Sequence, residues 1–249
     1  MNDEKINESI KEIKEKFYEI KKKPFHKSLR KGYGGLGYTF ETLIGKDEDT
    51  SYEPDYKGIE LKTKLGYSKN SLTLFNLASH KIDEKSVYKY LIDNFGHYKD
   101  KNKKVFVNEI YANKLIEIKY GIFWKLKILE DENKVKVLII NNSFKIIDDS
   151  IYWNLSDIKE RLITKLKYMA LIKGYPYKYN SELYYKYTNL NFYKLNGFSN
   201  YLELLKNGNI FIGINLGYEI INNTLRLTNR HFSFKMNMNS IDSLFEEIY

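Results

Sequence analysis

The chain of 249 residues contains no cysteine, which excludes a disulfide framework and any thiolate metal site. Proline occurs three times, and no Gly/Ser tract interrupts the chain, so no linker announces a domain boundary. No run of about 18 apolar residues exists to span a bilayer. Residues 1–23 are charged throughout and do not resemble a signal peptide. These absences point to a cytoplasmic protein without a membrane partner. His26, His80, His97 and His231 show no metal-ligand spacing. The glycine-rich residues 32–37 do not follow the strand of a βαβ unit, and no Gly-Lys-Ser/Thr comes after them, which argues against a nucleotide cofactor. A close approach of backbone to a phosphate, or simply a tight turn, suits them better.

What is abundant is positive charge and aromatic surface. Lys and Arg number 41 against 32 Asp and Glu, a formal net charge of +9. Basic chains gain binding free energy by displacing counterions from phosphates, although a chain this rich in Lys, Asn, Ile and Tyr also fits the composition that an AT-rich genome produces. An aromatic fraction of 16% marks an ordered chain, long enough for one large domain or two small lobes.

Apolar periodicity predicts the elements. Ile6, Ile10, Ile13, Phe17 and Ile20 form the stripe of an amphipathic helix over residues 3–22, which ends in a cationic turn before Pro24. Leu36, Phe40, Leu43 and Ile44 share one face of a short helix that Gly45 caps. Residues 58–64 and 71–77 read as two strands joined by a polar turn at residues 66–70. A helical stretch near residues 85–94 follows, then strand-like runs at 104–111, 120–129 and 134–141. Residues 155–168 read as a helix running into a strand at 168–172. Strands are expected near 184–191, 209–216, 224–228 and 231–238, with a helix at about 199–206. An apolar stripe through Ile241, Leu244 and Ile248 follows a serine start at Ser240. The tyrosine-rich residues 175–187 read as a strand pair against a core, or as a surface that touches nucleotides. The chain is therefore mixed α/β (α+β), with helices flanking one or two mostly antiparallel sheets.

Chemistry concentrates in Pro54-Asp55-Tyr56-Lys57-Gly58-Ile59-Glu60-Leu61-Lys62-Thr63. On a strand, Ile59 and Leu61 face the core while Glu60 and Lys62 share the opposite face. Asp55 follows a proline that favours an extended or turn entry and can curl back toward that face. Two carboxylates can hold Mg²⁺, an ion that takes oxygen ligands and keeps several waters; the Leu61 carbonyl is a further ligand. The metal polarises a phosphodiester and lowers the pKa of its bound water, and Lys62 orients or deprotonates that water. Glu41 lies on the short helix before the motif and completes a set of three acids. The alternative is a solvated strand face with a Glu–Lys pair worth less than about 1 kcal/mol.

Around this motif the sequence resembles a known family. Lys31-Gly32-x-Gly34-Gly35-x-Gly37-x-Thr39-Phe40-Glu41-x-Leu43, Pro54-Asp55, Ile59-Glu60-x-Lys62-Thr63 and Ser71-Leu72-Thr73-Leu74-Phe75 are similar to the MvaI/BcnI type II restriction endonucleases, the MvaI branch above all. That family is related to the MutH repair nickase. Asp149-Ser150-Ile151-Tyr152-Trp153, Lys165-Leu166-Lys167-Tyr168, Tyr185-Lys186-Tyr187 and Phe234-Lys235-Met236-Asn237-Met238 continue the likeness in the same order. Residues 80–145 resemble it least.

The resemblance implies a PD-(D/E)xK restriction-endonuclease-like core with two lobes around a DNA cleft, approximately a catalytic lobe at 1–150 and a recognition lobe at 151–249. It implies a monomer that cuts double-stranded DNA at a short pseudo-palindromic site, one strand at a time, with Mg²⁺. A cognate DNA methyltransferase would be its genetic rather than physical partner. Asp55 and Glu60 would be the metal ligands, Lys62 the motif lysine and Glu41 the auxiliary acid. The recognition half departs from the pattern. Gly213 and Asn215 stand where the relatives carry charged base-reading side chains, and Lys235 stands for an arginine, so a less G·C-dependent target is expected. Base contacts are sought among Asn215, Glu219, Arg226, Asn229, Arg230, His231 and Lys235, around a hairpin with Asn222-Asn223 near its turn. The competing readings are a MutH-like nickase that needs a partner, a non-catalytic DNA-binding homologue, and an RNA-binding protein. The full set of Glu41, Asp55, Glu60 and Lys62 argues against the last two.

Overall fold

The computed structural model describes residues 3–32, 34–46, 52–68, 70–82, 86–222 and 224–249. Tyr33 of the glycine-rich stretch, Lys69 of the turn after the motif strand, Lys85 and Asn223 lie outside the described residues. The chain divides into two compact units, one formed by Met1–Asn70, Leu162–Asn196 and Ile241–Tyr249, the other by Ser71–Arg161 and Gly197–Ser240. A single cut near residue 150 does not describe this division. The chain leaves the first unit and returns to it twice, because strands distant in sequence pair within each unit.

In the first unit the amphipathic helix forms as its periodicity predicts, over Asp3–Lys22. Lys21 and Lys22 in its last turn suit the negative end of the helix dipole. Ile6, Ile10, Ile13, Phe17 and Ile20 are all buried in one cluster with Phe40, Ile44, Ile59, Leu61, Ala170, Ile172 and Phe192. Its sheet runs in the order His26–Lys27, Glu182–Leu195, Tyr168–Tyr179, Glu60–Leu65, with Phe245–Glu247 added against Glu182–Leu195. The Glu60–Leu65 strand pairs in parallel with Tyr168–Tyr179, and the other pairings of this sheet are antiparallel. The motif strand therefore does not form a hairpin with Leu72–Asn76, although only a short polar segment separates them. Leu72–Asn76 pairs instead with Thr224–Met236 in the other unit. The C-terminal stripe is also not one helix. A 3₁₀ turn at Met238–Ser240 and a helix at Ile241–Leu244 give way to the strand Phe245–Glu247, which finds an open sheet edge for its backbone groups.

The second unit holds two antiparallel sheets. One runs His80–Lys81, Ile151–Asn154, Lys134–Asn141, Ile122–Leu129, Ile116–Lys119, with Ile146–Asp148 also on Lys134–Asn141. The other runs Leu72–Asn76, Thr224–Met236, Ile210–Ile221, Lys103–Ile110, His97–Asp100. Buried Trp153 stands edge-on to Phe232 at 5.5 Å and to Phe234 at 5.8 Å, and Trp124 meets Phe106 at 5.2 Å. Such aromatic contacts join elements of the two sheets in one core. The helix Val87–Phe95 starts at Ser86, whose hydroxyl accepts the Lys89 N–H. Residues 224–236 form one strand rather than two. A bulge opposite Gly217/Tyr218 absorbs the irregularity between the two predicted runs.

Candidate active site

Local backbone chemistry brings the motif together. Lys57 and Gly58 both adopt positive φ, 44° and 87°, the pair of left-handed residues that closes a tight two-residue hairpin. Tyr56 and Ile59 exchange two backbone hydrogen bonds across this turn, each 2.9 Å. The reversal turns Asp55 back beside the strand that follows, where its Oδ2 accepts the Leu61 N–H at 3.1 Å. Helix Asp3–Lys22 holds the turn from outside. Ser9 donates to the Lys57 carbonyl at 3.1 Å, and Lys57 Nζ reaches Glu12 at 2.7 Å.

Ile59 and Leu61 enter the core, and period two sends Glu60 and Lys62 the other way. Glu60 is nevertheless only 2% exposed. Its Oε1 accepts from Lys62 Nζ at 2.7 Å and its Oε2 from Lys165 Nζ at 2.9 Å. Lys165 Nζ also donates to the Glu53 carbonyl at 2.9 Å and lies 3.6 Å from Asp55 Oδ1. One ammonium thus bridges both carboxylates expected to hold a metal.

Glu41 and Lys46 are delivered by a single cap. Helix Gly35–Leu43 ends with Gly45 at φ 82°; the Gly45 N–H bonds the Thr42 carbonyl at 3.0 Å and the Lys46 N–H the Glu41 carbonyl at 2.9 Å. This is the Schellman arrangement that a left-handed glycine permits. It sets Lys46 Nζ 3.9 Å from Asp55 Oδ1. Burial, then the neighbouring charges of Asp55 and Glu60, push the Glu41 carboxyl above its usual range, with Lys46 and Lys62 pulling against them. Three carboxylates (Glu41, Asp55, Glu60) thus share the site with three ammonium groups (Lys46, Lys62, Lys165).

Lys165 and Lys46 were not found from the sequence. Lys165 is one of many lysines there, and its signal is topological. It sits four residues before Met169, which lies opposite Glu60 in the parallel pairing, so the end of helix Leu155–Leu166 is carried to the start of the motif strand.

The expected DNA-contacting residues lie in the second unit, on the hairpin of Ile210–Ile221 and Thr224–Met236. Opposite residues share a face. Asn215 faces His231, Gly217 faces Asn229, Glu219 faces Arg226 and Phe211 faces Lys235. Asn229 Nδ2 donates to Asn215 Oδ1 at 3.3 Å. Gly213 leaves room on this face for the Lys235 side chain, whose Cε would lie 2.6 Å from a Cβ at that position and would have to move aside. Arg230 departs from the group. It is opposite Leu216, on the face where Ile212, Ile214 and Leu216 are buried, and its charge acts on Tyr88 of helix Val87–Phe95. Strand alternation separates it from Asn229 and His231, and the bulge beyond Asn229 is what puts Arg226 on the face of Glu219. The polar face also includes residues the sequence reading missed. Glu109 lies opposite Gly213 and accepts from Tyr111 Oη at 2.5 Å, while Ser233 donates to Asn76 at 2.7 Å.

An acid–lysine strand at the edge of a mixed sheet, with an aspartate folded back onto it and helices against it, defines a PD-(D/E)xK restriction-endonuclease-like nuclease. The particular family follows from comparison with known proteins: the chain belongs to the MvaI/BcnI restriction endonuclease family, whose model matches residues 14–245. Among solved structures it is similar to the complex of restriction endonuclease MvaI with its cognate DNA substrate, at 26% identity over 95% of this chain and 96% of that one, with a TM-score of 0.82. It is also similar to MvaI in the absence of DNA, at 25% identity over 97% of each chain, with a TM-score of 0.59. No curated protein sequence matches. The chain is thus a restriction endonuclease, a hydrolase acting on DNA. Among the described residues, no helix is long and apolar enough to cross a membrane.

Proposed function

We propose that this chain is a Mg²⁺-dependent type II restriction endonuclease that hydrolyses double-stranded DNA at a short pseudo-palindromic sequence, as a monomer working on one strand at a time. The observation that carries the proposal is the convergence of Asp55, Glu60 and Lys62, with two carboxylates gathered around one cation, the Lys165 ammonium, at 3.6 and 2.9 Å. MvaI, which this chain resembles over nearly its whole length, is known in complex with its cognate DNA, and this supports the same polymer as substrate. The reading includes a cytoplasmic setting and a cognate DNA methyltransferase as genetic partner.

The donor set suits Mg²⁺. Among the described residues no three His, Asp or Glu are close enough to cage a metal, and Mg²⁺ is usually held by one or two carboxylates together with waters and substrate phosphate. Asp55, Glu60 and the Leu61 carbonyl would hold it. When bound, Mg²⁺ supplies Lewis-acid polarisation of the phosphate and a bound water of lowered pKa, and it adds net positive charge to a site whose own carboxylates and ammonium groups balance. Lys62 orients the attacking water and offsets the negative charge that builds on phosphorus. Glu41, whose affinity for a proton is raised by burial and by the charges of Asp55 and Glu60, would release a proton more readily once a cation neutralises those carboxylates. On the recognition face, Asn215 suits adenine N6/N7, Lys235 guanine O6/N7, and Glu109 a cytosine amino group.

The test is incubation with long unmethylated DNA of known sequence, with and without Mg²⁺, beside Lys62→Ala. Discrete Mg²⁺-dependent fragments with one shared end motif, absent with the variant, are expected. Salt-sensitive binding without any cleavage would replace this reading with a partner-dependent nickase or a binding module.

A further inference from the structure

On the motif strand, Lys64 follows Glu60 and Lys62 on the same face, at two-residue steps of about 6.6 Å each. In the parallel neighbour its opposite residue is Lys173, so two cations stand side by side on adjacent strands about 4.8 Å apart. Like charges set directly across a sheet are destabilising. Among the described residues neither ammonium pairs with a carboxylate. Lys64 Nζ has only the carbonyl of Asn70. Burial, and then the charge of Lys173, lower the affinity of the Lys64 amine for its proton. Both side chains are half-buried, and the exposed Tyr175 follows Lys173 on the same face. Among the described residues no carboxylate compensates the repulsion. An anion placed over the pair would do so.

We propose that Lys64 and Lys173 form a binding site for a DNA backbone phosphate that neighbours the one being cleaved. The inference rests on the endonuclease reading above. One residue pair beyond Lys62 is a displacement that flexible lysine side chains match to a strand carrying a phosphate every 3.4 Å or so of helix axis. A phosphate held there positions the backbone against Lys62 without touching the reacting atoms. Lys64 and Lys173 are accordingly positioning residues, and they act on DNA binding rather than on the bond-breaking step.

The experiment uses the full chain, wild type and Lys64→Gln/Lys173→Gln, on duplexes in which the phosphates flanking the mapped cut are replaced one at a time by neutral methylphosphonates. For the wild type, one flanking position should weaken binding about tenfold, with the single-turnover rate at saturation unchanged. For the double variant that position should lose its effect, and the salt slope of binding to unmodified DNA should be shallower by about one. The double variant should melt at or above the wild-type temperature, since the repulsion is gone. Identical methylphosphonate profiles and salt slopes for the two proteins would overturn the site while leaving the nuclease reading intact. A wild type that neither binds nor cuts any duplex would overturn the nuclease reading, and the site with it.

Discussion

Replacing Lys165 by methionine tests the charge balance of the site directly. Methionine keeps an unbranched apolar stem of similar reach and removes the ammonium. That ammonium lies 2.9 Å from Glu60 Oε2 and 3.6 Å from Asp55 Oδ1, with its side chain 15% exposed. At an effective dielectric of about 20, each contact at 3–4 Å is worth roughly 4–6 kcal/mol before desolvation is subtracted. Removing one partner of a buried ion pair typically costs about 3–5 kcal/mol. Here the loss is softened, because Lys62 still holds Glu60 Oε1 at 2.7 Å and Lys46 stands 3.9 Å from Asp55. The expected destabilisation in EDTA is therefore about 2–3 kcal/mol, below that of an isolated buried charge. A divalent cation would replace the missing charge. Ligand at a hundredfold excess over its Kd adds about 2.7 kcal/mol, and the variant, with two less-compensated carboxylates, should bind Mg²⁺ more tightly than the wild type. Urea unfolding of both proteins, in EDTA and in saturating Mg²⁺, should show a gap that closes by more than half with metal. A gap of the same size in both conditions, or none in EDTA, would refute the view that Lys165 stands in a cation site.

Other outcomes follow from the same geometry. Because the folded state raises the Glu41 carboxyl above its ordinary range, folding takes up protons there, and the stability tied to that group falls as pH rises from the usual glutamate range through the folded value. Glu41→Gln should accordingly raise the metal-free urea midpoint at neutral pH, leave it unchanged in acid, and depress cleavage; equal shifts at both pH values would contradict this. Gly35→Ala should destabilise by about 1–3 kcal/mol through overpacking, since its Cβ would meet Ser28 Oγ and Tyr185 Oη at 2.6 Å, and thermal unfolding reads this out. Asn215→Ala should relax discrimination at one base position, by about 1–3 kcal/mol in relative cleavage of a randomised target pool. Arg230→Ala, on the opposite face, should leave that profile unchanged, and a shift with Arg230 but not with Asn215 would reverse the assignment of faces.

Local patterns determined much of this protein. The stripe of helix Asp3–Lys22, the glycine cap at Gly45 and the alternation of Ile59, Glu60, Leu61 and Lys62 are effects of period and backbone conformation, which act over a few residues and are written in them. The resemblance to the MvaI/BcnI family was equally legible, being a matter of motif order along the chain. Tertiary structure decided what depends on partners distant in sequence. Leu72–Asn76 follows the motif strand closely but pairs with Thr224–Met236 rather than with it, because pairing is chosen by which apolar face finds a core. The C-terminal stripe became partly a strand once an open edge was at hand. Arg230 was separated from Asn215 and His231 by strand alternation, and Lys165 reached Glu60 only because a helix and a parallel strand were brought against the motif. Ionic neighbourhoods depend on distances of a few ångströms across the fold, and sequence separation does not encode those distances.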